Sequence, residues 1–338
     1  MGPVEGSIDV EVIDPRHEAA FDEWFGVLHA TDMERWPDKP GWQRVERLAM
    51  ATAEHGAAAH RLLVARDARD QVIGCAEIEL SRHENLHLAQ ADLRVLPEHR
   101  RRGVGSALLR VVERIAAEEG RHELGGMDET PVRRDYQDAA GPFARHHGFV
   151  TVQQLVRREV RLPIRMDRSE SQATPPGYTI RTFLDRWPDE LLEDRCELGR
   201  RMSTDVPMGD QELDEEVWDE ARVRQMEAAF AAQNRAKVIT VAAHDETGRL
   251  AGFTEIAVPL GAPESVWQHD TLVMREHRGH RLGFAMKVAN LHALAREYPQ
   301  TCTVSTWNAA ENAPMIAVNE EMGFEVAAVS NSWLKRIR

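Results

Sequence analysis

The chain has little cysteine. Three residues in 338, Cys75, Cys196 and Cys302, are odd in number and far apart. They spell neither a disulfide framework nor a zinc ribbon. Positive charge is also short. Lys and Arg number 42 against 56 Asp and Glu, a formal net charge of −14. That deficit argues against a nucleic-acid binder, which needs basic surface to neutralise phosphates. It argues equally against attraction to an anionic membrane. No apolar run approaches the ~20 residues of a membrane span. The opening MGPVEGSIDV lacks the basic and apolar regions of a signal peptide. Neither G-x-G-x-x-G nor G-x-x-x-x-G-K-[ST] occurs. What remains is ordinary globular composition, 42% apolar and 29% charged. A soluble, cytoplasmic, metal-free protein is expected, as a monomer or a homodimer.

What the chain does have is a repeat. Shifted by 178 residues, Ala65, Asp67, Gly74, Glu77 and Ile78 fall on Ala243, Asp245, Gly252, Glu255 and Ile256. With no gap, Asp92, Val95, Glu98, His99, Arg100, Gly105 and Ala107 fall on Asp270, Val273, Glu276, His277, Arg278, Gly283 and Ala285. A third match, Gly148-Phe149 with Gly323-Phe324, drifts by three residues. A repeat of this length is a duplicated domain rather than a solenoid unit. Residues 166–177, polar and ending in Pro-Pro-Gly, read as a linker. Two domains are expected, 1–165 and 178–338.

Each half reads alike. A strand, a turn (Asp67–Asp70 or Asp245–Gly248) and a second strand (Ile73–Leu80 or Ala251–Val258) make a hairpin. A third strand, Ala89–Leu96 or His269–Met274, leads into an Arg/Gly-rich turn. After it, Leu108, Val111, Val112 and Ile115, or Phe284, Val288, Leu291 and Leu294, recur at helical spacing. The class is α+β. The turn Arg100-Arg101-Arg102-Gly103-Val104-Gly105 is built as an anion cradle. Glycines permit close backbone approach, and a helix start offers free amides to a phosphate.

This strand–turn–helix segment resembles the acetyl-CoA pyrophosphate loop of the GNAT superfamily of N-acetyltransferases. The second half carries V-M-R-E-H-R-G-H-R-L-G-F-A-M-K and then a late segment from Asn312 to Gly323-Phe324 that resembles the family more fully. The tandem build is of the actinobacterial kind, and mycothiol synthase is a similarly built member. The resemblance implies two tandem domains, each a mixed, mostly antiparallel sheet that splays to admit the pantetheine arm. It implies acetyl-CoA as co-substrate and a small-molecule amine as acceptor. It places Val95, Arg100, Arg101, Arg102, Gly103, Val104, Gly105 and Ser106 at the cofactor in the first half. In the second it places Val273, Arg278, Gly279, His280, Arg281, Leu282, Gly283, Phe284, Asn308 and Asn312 there.

Two departures stand out. Arg281 replaces the first glycine of the second loop, which either directs the side chain away from phosphate or weakens binding. The tyrosine that often serves the family as general acid is missing, with Asn319 in its place in the second half and Ala144 in the first. Glu255, on a strand, is expected as base or water-holder, with Asp270 brought to the same face from the next strand. A fold-supporting role for Asp270 stays open, since Asp92 and Glu77 repeat both residues. His269, opposite Ala91 in the repeat, is a candidate shuttle or a surface histidine. His146-His147 has no partner at metal-ligand spacing, and Cys302 reads as a small buried residue. From Thr204 to Glu220 there are eight acids and no Lys or Arg. This stretch is either a solvated helix start or an attractor for a cationic acceptor. The expected function is acetyl transfer to the primary amine of a small cationic molecule, with the second half catalytic. Alternatives are a non-catalytic acyl-CoA-binding or regulatory protein, and a scaffold with decayed sites.

Overall fold

The computed structural model describes residues 8–54, 56–133, 135–164, 174–205 and 209–337. Most of the expected linker, 166–173, lies outside them. Contacts gather the chain into two units, residues 1–153 with 330–338, and residues 154–329. The repeat and the contacts therefore divide the chain differently. Residues 154–161 count with the second unit, and the chain's last strand counts with the first from Ser330 onward.

The first unit runs β1 (Asp9–Ile13), α1 (Glu18–Arg35), α2 (Arg44–Thr52), β2 (Ala58–Arg66), β3 (Val72–Ser81), β4 (Leu88–Val95), α3 (Val104–Glu118), β5 (Glu123–Pro131) and α4 (Ala140–His146). β6 (Val150–Arg161) follows. The second runs β7 (Tyr178–Leu184), α5 (Leu192–Asp205), α6 (Glu220–Ala232), β8 (Arg235–His244), β9 (Leu250–Pro259), β10 (Ser265–Val273), α7 (Leu282–Glu297), β11 (Thr303–Ala309), α8 (Ala313–Glu321) and β12 (Glu325–Arg336). Strand order is β1-β2-β3-β4-β5-β12 in the first unit and β7-β8-β9-β10-β11-β6 in the second. β1 to β4 and β7 to β10 are antiparallel, while β4–β5 and β10–β11 are parallel. This is the expected α+β class, with mixed, mostly antiparallel sheets flanked by helices.

The hairpin turn forms because Asp67 Oδ1 accepts from the amides of Arg69 and Gln71, at 2.9 and 3.0 Å. Helices cover both faces of each sheet. On one face of the first unit, Val104, Leu108, Val112 and Ile115 of α3 pack on Leu63, Ala76 and Ile78. On the other, Phe21, Trp24 and Leu28 of α1 pack on Leu62, Val64 and Cys75. Each large apolar side chain so buried contributes about 1.5–3 kcal/mol. α7 repeats the first arrangement in the second unit through Phe284, Val288, Leu291 and Leu294. α5 and α6 cover the opposite face.

Two features position the site. The parallel pairs come apart: β10 and β11 pair only over Ser265–Trp267 and Thr303–Ser305, and β4 and β5 only over Leu88–Gln90 and Glu123–Gly125. The strands run on beyond these pairs, so each unit is splayed. The second feature is asymmetric. β3 and β4 keep one register throughout, with Glu77 directly opposite Asp92. β9 and β10 shift register between Gln268 and Thr271. His269 and Asp270 thus share the one place opposite Glu255, a β-bulge that bends the strand and re-aims its side chains.

Cys302 departs from expectation. It lies one residue before β11 and is exposed, because the strand starts after it.

Candidate active site

The two loops share one backbone with glycine and arginine exchanged. Arg101 and Gly103 have φ of 61° and 87°, and their repeat equivalents Gly279 and Arg281 have 86° and 58°. An arginine in this left-handed region costs about 1–2 kcal/mol. Arg281 offsets part of that by ion-pairing with Glu321 and stacking on Phe284, 4.6 Å from the ring centroid. The substitution thus leaves the loop's backbone conformation unchanged. Gly103 and Arg281 are helix N-caps, so the amides after them are free for an anion.

Several expected cofactor residues have other work. Arg100 Nε donates to the Val95 carbonyl at 3.1 Å, and its guanidinium pairs with Glu34. Arg278 does the same with the Val273 carbonyl, 3.2 Å, and Asp205, 3.4 Å. These arginines tie the loop to the strand end and to α1 or α5. Val104, Leu282 and Phe284 turn into the cores. Asn312 caps α8, accepting from the Met315 amide at 3.4 Å. Arg102, Gly279 and His280 are exposed on the loops, and Ser106 is half-buried.

The loops differ in what faces their second glycine. A Cβ on Gly283 would meet nothing nearer than 3.9 Å, so backbone approach there is open. A Cβ on Gly105 would meet the Phe143 ring of α4 at 3.0 Å. Ser106 and His147 Nε2 bridge α3 to α4 beside it, 2.9 Å apart. The second loop is therefore the more open of the two at this glycine.

Next to the second splay lies a buried polar chain. Lys287 Nζ donates to Asn319 Oδ1 at 2.7 Å, and Asn319 Nδ2 donates to Asn308 Oδ1 at 2.5 Å. Asn308 stands on the part of β11 that has left β10. Lys287 is 1% exposed, and burial lowers its pKa to about 7. The repeat puts Leu109 and Ala144 in place of Lys287 and Asn319. Lys287 is visible in the sequence as a lysine on the core face of an apolar helix.

On the opposite face, Glu255 is buried with both carboxylate oxygens engaged. Oε1 accepts from Trp187 Nε1 at 2.9 Å and Oε2 from Lys237 Nζ at 2.8 Å. Burial alone would raise its pKa, but Lys237, Arg195 and these hydrogen bonds outweigh that and hold it near 2. Such a carboxylate is a weak proton acceptor, which argues against the base half of the base-or-water-holder expectation. Its geometry suits a counter-ion for Lys237. In the first unit, Glu77 is engaged likewise by His60 Nδ1, 2.8 Å, and by Arg47.

Asp270 differs from its repeat. Asp92 is chelated by Arg94 through two oxygens, at 2.8 Å each, and Arg94 also reaches Asp32 at 3.1 Å. At the Arg94 position the second unit has Leu272. Asp270 has no hydrogen bond or ion pair among the described residues. Burial and then the Glu255 charge raise its pKa, against Arg195 and Lys237. His269 is exposed, with the Phe230 ring against it. Desolvation, then Lys237 and Arg235, lower its pKa to about 4, so its imidazole is neutral at pH 7.

Three of the eight acids in the acidic stretch have structural contacts, and the other five are exposed. Asp205 pairs with Arg275 and Arg278, Glu216 accepts from Trp218 Nε1, and Asp219 caps α6. Glu255 is paired with Lys237, whereas Asp270 has no such partner among the described residues. Among the described residues no group of His, Cys, Asp or Glu could hold a metal, and no helix is long and apolar enough to cross a membrane.

Residues 58–151 match the acetyltransferase (GNAT) domain family. No curated protein matches the chain. Among solved structures it is similar to a tandem GNAT protein from the clavulanic acid biosynthesis pathway, without acetyl-CoA. Identity is 27% and TM-score 0.83, over 98% of this chain and 99% of that one. A GCN5-related N-acetyltransferase from Sphaerobacter thermophilus shares the fold at 16% identity and TM-score 0.71, over 98% and 96% of the two chains. So does a fungal glucosamine N-acetyltransferase region, at 12% identity and TM-score 0.69, over 98% of this chain and 38% of that one. Two splayed sheets and two like loops thus give the chain the fold of tandem GNAT proteins, with a GNAT-domain match over residues 58–151.

Proposed function

We propose that the second unit is an acetyl-CoA-dependent N-acetyltransferase acting on the primary amine of a small molecule. The observation that carries this reading is the contrast between Asp270, uncommitted at a bulge beside the splay, and Asp92, chelated by Arg94. A duplicated catalytic aspartate is released in one copy and locked in the other. Acetyl-CoA would supply an activated acyl group. The amides after Arg281 would hold its pyrophosphate, with the open approach at Gly283 beside them. Asp270 would hold the amine as an ammonium and take its proton, a task suited to a carboxylate whose pKa is raised. Lys237 and Glu255 fix the charge around it. The Asn319–Asn308 pair, polarised by Lys287, would orient the thioester in place of the missing tyrosine.

The first unit supports a second role in the same protein. It keeps the loop backbone, with φ of 61° at Arg101 and 87° at Gly103, and lacks a free carboxylate at Asp92. It fits a non-catalytic acyl-CoA-binding or scaffolding half, with 1–165 and 178–338 as the duplicated halves joined by 166–177. The test is release of CoA thiol from acetyl-CoA over a panel of primary amines. Turnover should fall about 10²-fold or more in Asp270→Asn, as for loss of a general base, and persist in Asp92→Asn. The reverse result moves the chemistry to the first unit.

A further inference from the structure

The acceptor face of the second unit holds a buried guanidinium, that of Arg195, with no ion pair among the described residues. Arg195 of α5 is 3% exposed. Its guanidinium is stacked among Trp218, Phe253 and Trp187, at 4.3, 5.0 and 5.4 Å from their centroids. Buried Nε and Nη1 have no hydrogen-bond partner among the described residues. A guanidinium carries five donors in a fixed fork, and burying them unmet is costly. The neighbouring cation on this face is answered, since Lys237 has Glu255.

Arg195 belongs to the same constellation as Asp270. Trp187, one of its stacking partners, donates to Glu255, which the bulge places opposite Asp270. The Arg195 charge acts on both carboxylates, lowering the pKa of each. Neither Asp270 nor Arg195 makes an ion pair among the described residues, so the face offers an anion on a sheet strand and a cation on the helix that covers it, each with hydrogen-bonding capacity left over. A ligand that answers both is a zwitterion, with its ammonium at Asp270 and a single negative charge at Arg195. One guanidinium matches the single charge of a carboxylate, in the bidentate geometry the two groups share.

We propose that the acceptor is an amine that also bears a carboxylate, an amino acid in the broad sense, and that Arg195 binds that carboxylate. This rests on the acetyltransferase reading above and names its substrate class. The aromatic rings around Arg195 exclude water and so strengthen the pairing. Arg195 thereby sets specificity, while the proton passes to Asp270.

The test compares matched acceptors on the wild-type full chain with acetyl-CoA. Amino acids are set against their primary amides, their decarboxylated amines and aminoalkyl phosphates. CoA thiol release should favour the carboxylates by about 10²-fold in kcat/KM, as expected where a buried donor is otherwise left unsatisfied. Arg195→Gln should erase that preference and Arg195→Lys should keep part of it, chiefly through KM. Calorimetry of an N-acetylated amino acid against its amide reads the subsite without turnover. Should either variant fail to fold, the wild-type pairs still decide. Equal rates for acid and amide, or faster turnover of the phosphates, overturn the carboxylate assignment and leave the acetyltransferase standing. No thiol release with any amine removes the acetyltransferase reading, and the acceptor assignment with it.

Discussion

Lys287 Nζ donates to Asn319 Oδ1 at 2.7 Å in the interior of the second unit, with no carboxylate reaching it among the described residues. Burial lowers this lysine's pKa from 10.5 to about 7. An unfolded chain keeps the proton up to about 10.5 and the folded one releases it near 7, so between those values unfolding takes up a proton. Stability must then rise with pH across that window, and the burial penalty is fully felt below about 7. The slope approaches about 1.4 kcal/mol per pH unit. Urea unfolding at pH 6.5 and 9 should show this gain in the wild type, and Lys287→Met should lose it. A pH-independent difference between the two proteins would mean that Lys287 stays charged throughout.

Glu255 and Asp270 should respond oppositely to loss of charge. Glu255→Gln breaks a buried pair and leaves Lys237 unanswered, which costs about 3–5 kcal/mol. Because the Glu255 pKa is lowered from 4.5 to about 2, its contribution is present above pH 4.5 and lost as pH falls toward 2. The variant's acid unfolding should therefore be flatter over that range. Asp270→Asn removes an unpartnered carboxylate, so its melting temperature should hold or rise while the acetylation rate falls. Destabilisation by Asp270→Asn with an unchanged rate would assign Asp270 to the fold.

Much of this was legible in the sequence, because the repeat and the strand–turn–helix pattern are local. The Asp67 turn, the α3 and α7 core positions and the Arg/Gly loops can each be read within about twenty residues of chain. What was not legible depends on partners distant in sequence. Arg278 looks like a phosphate ligand until Asp205, 73 residues earlier, is seen beside it. Glu255 looks like a base until Lys237 and Trp187 take its two oxygens. The freedom of Asp270 comes from a substitution two residues away, Leu272 for Arg94, together with a bulge that no local pattern announces. Arg195 gave no signal at all, since a charged residue on an amphipathic helix ordinarily faces water.

The backbone shared by the loops makes a third expectation. Gly279 has φ of 86° and no atom within 4 Å of a new Cβ, so Gly279→Ala should cost only the left-handed penalty, about 1–2 kcal/mol. Arg281→Gly should recover a similar amount, less the exposed Glu321 pair, worth about 0–1 kcal/mol. Chemical denaturation of the two variants measures both. Equal and large losses would mean that the Arg281 side chain, rather than the backbone, holds the loop.

The two second glycines separate stability from binding. Gly283 is helical, and a Cβ there meets nothing nearer than 3.9 Å. Gly283→Ala should therefore stabilise the protein by about 0.5–1 kcal/mol, the usual gain of alanine over glycine in a helix. The same methyl would stand where the backbone must approach a pyrophosphate, so acetyl-CoA affinity at that site should fall. Stability and affinity then move in opposite directions, which no general unfolding effect produces. Gly105→Ala should behave differently. Its methyl meets Phe143 at 3.0 Å, so α4 must shift and the helix gain is cancelled or reversed. Catalysis resides in the second unit on this reading, so Gly105→Ala should leave turnover largely intact. Thermal melts, acetyl-CoA calorimetry and thiol-release rates on both variants decide the matter. Loss of turnover in Gly105→Ala with normal rates in Gly283→Ala would place the working cofactor site in the first unit.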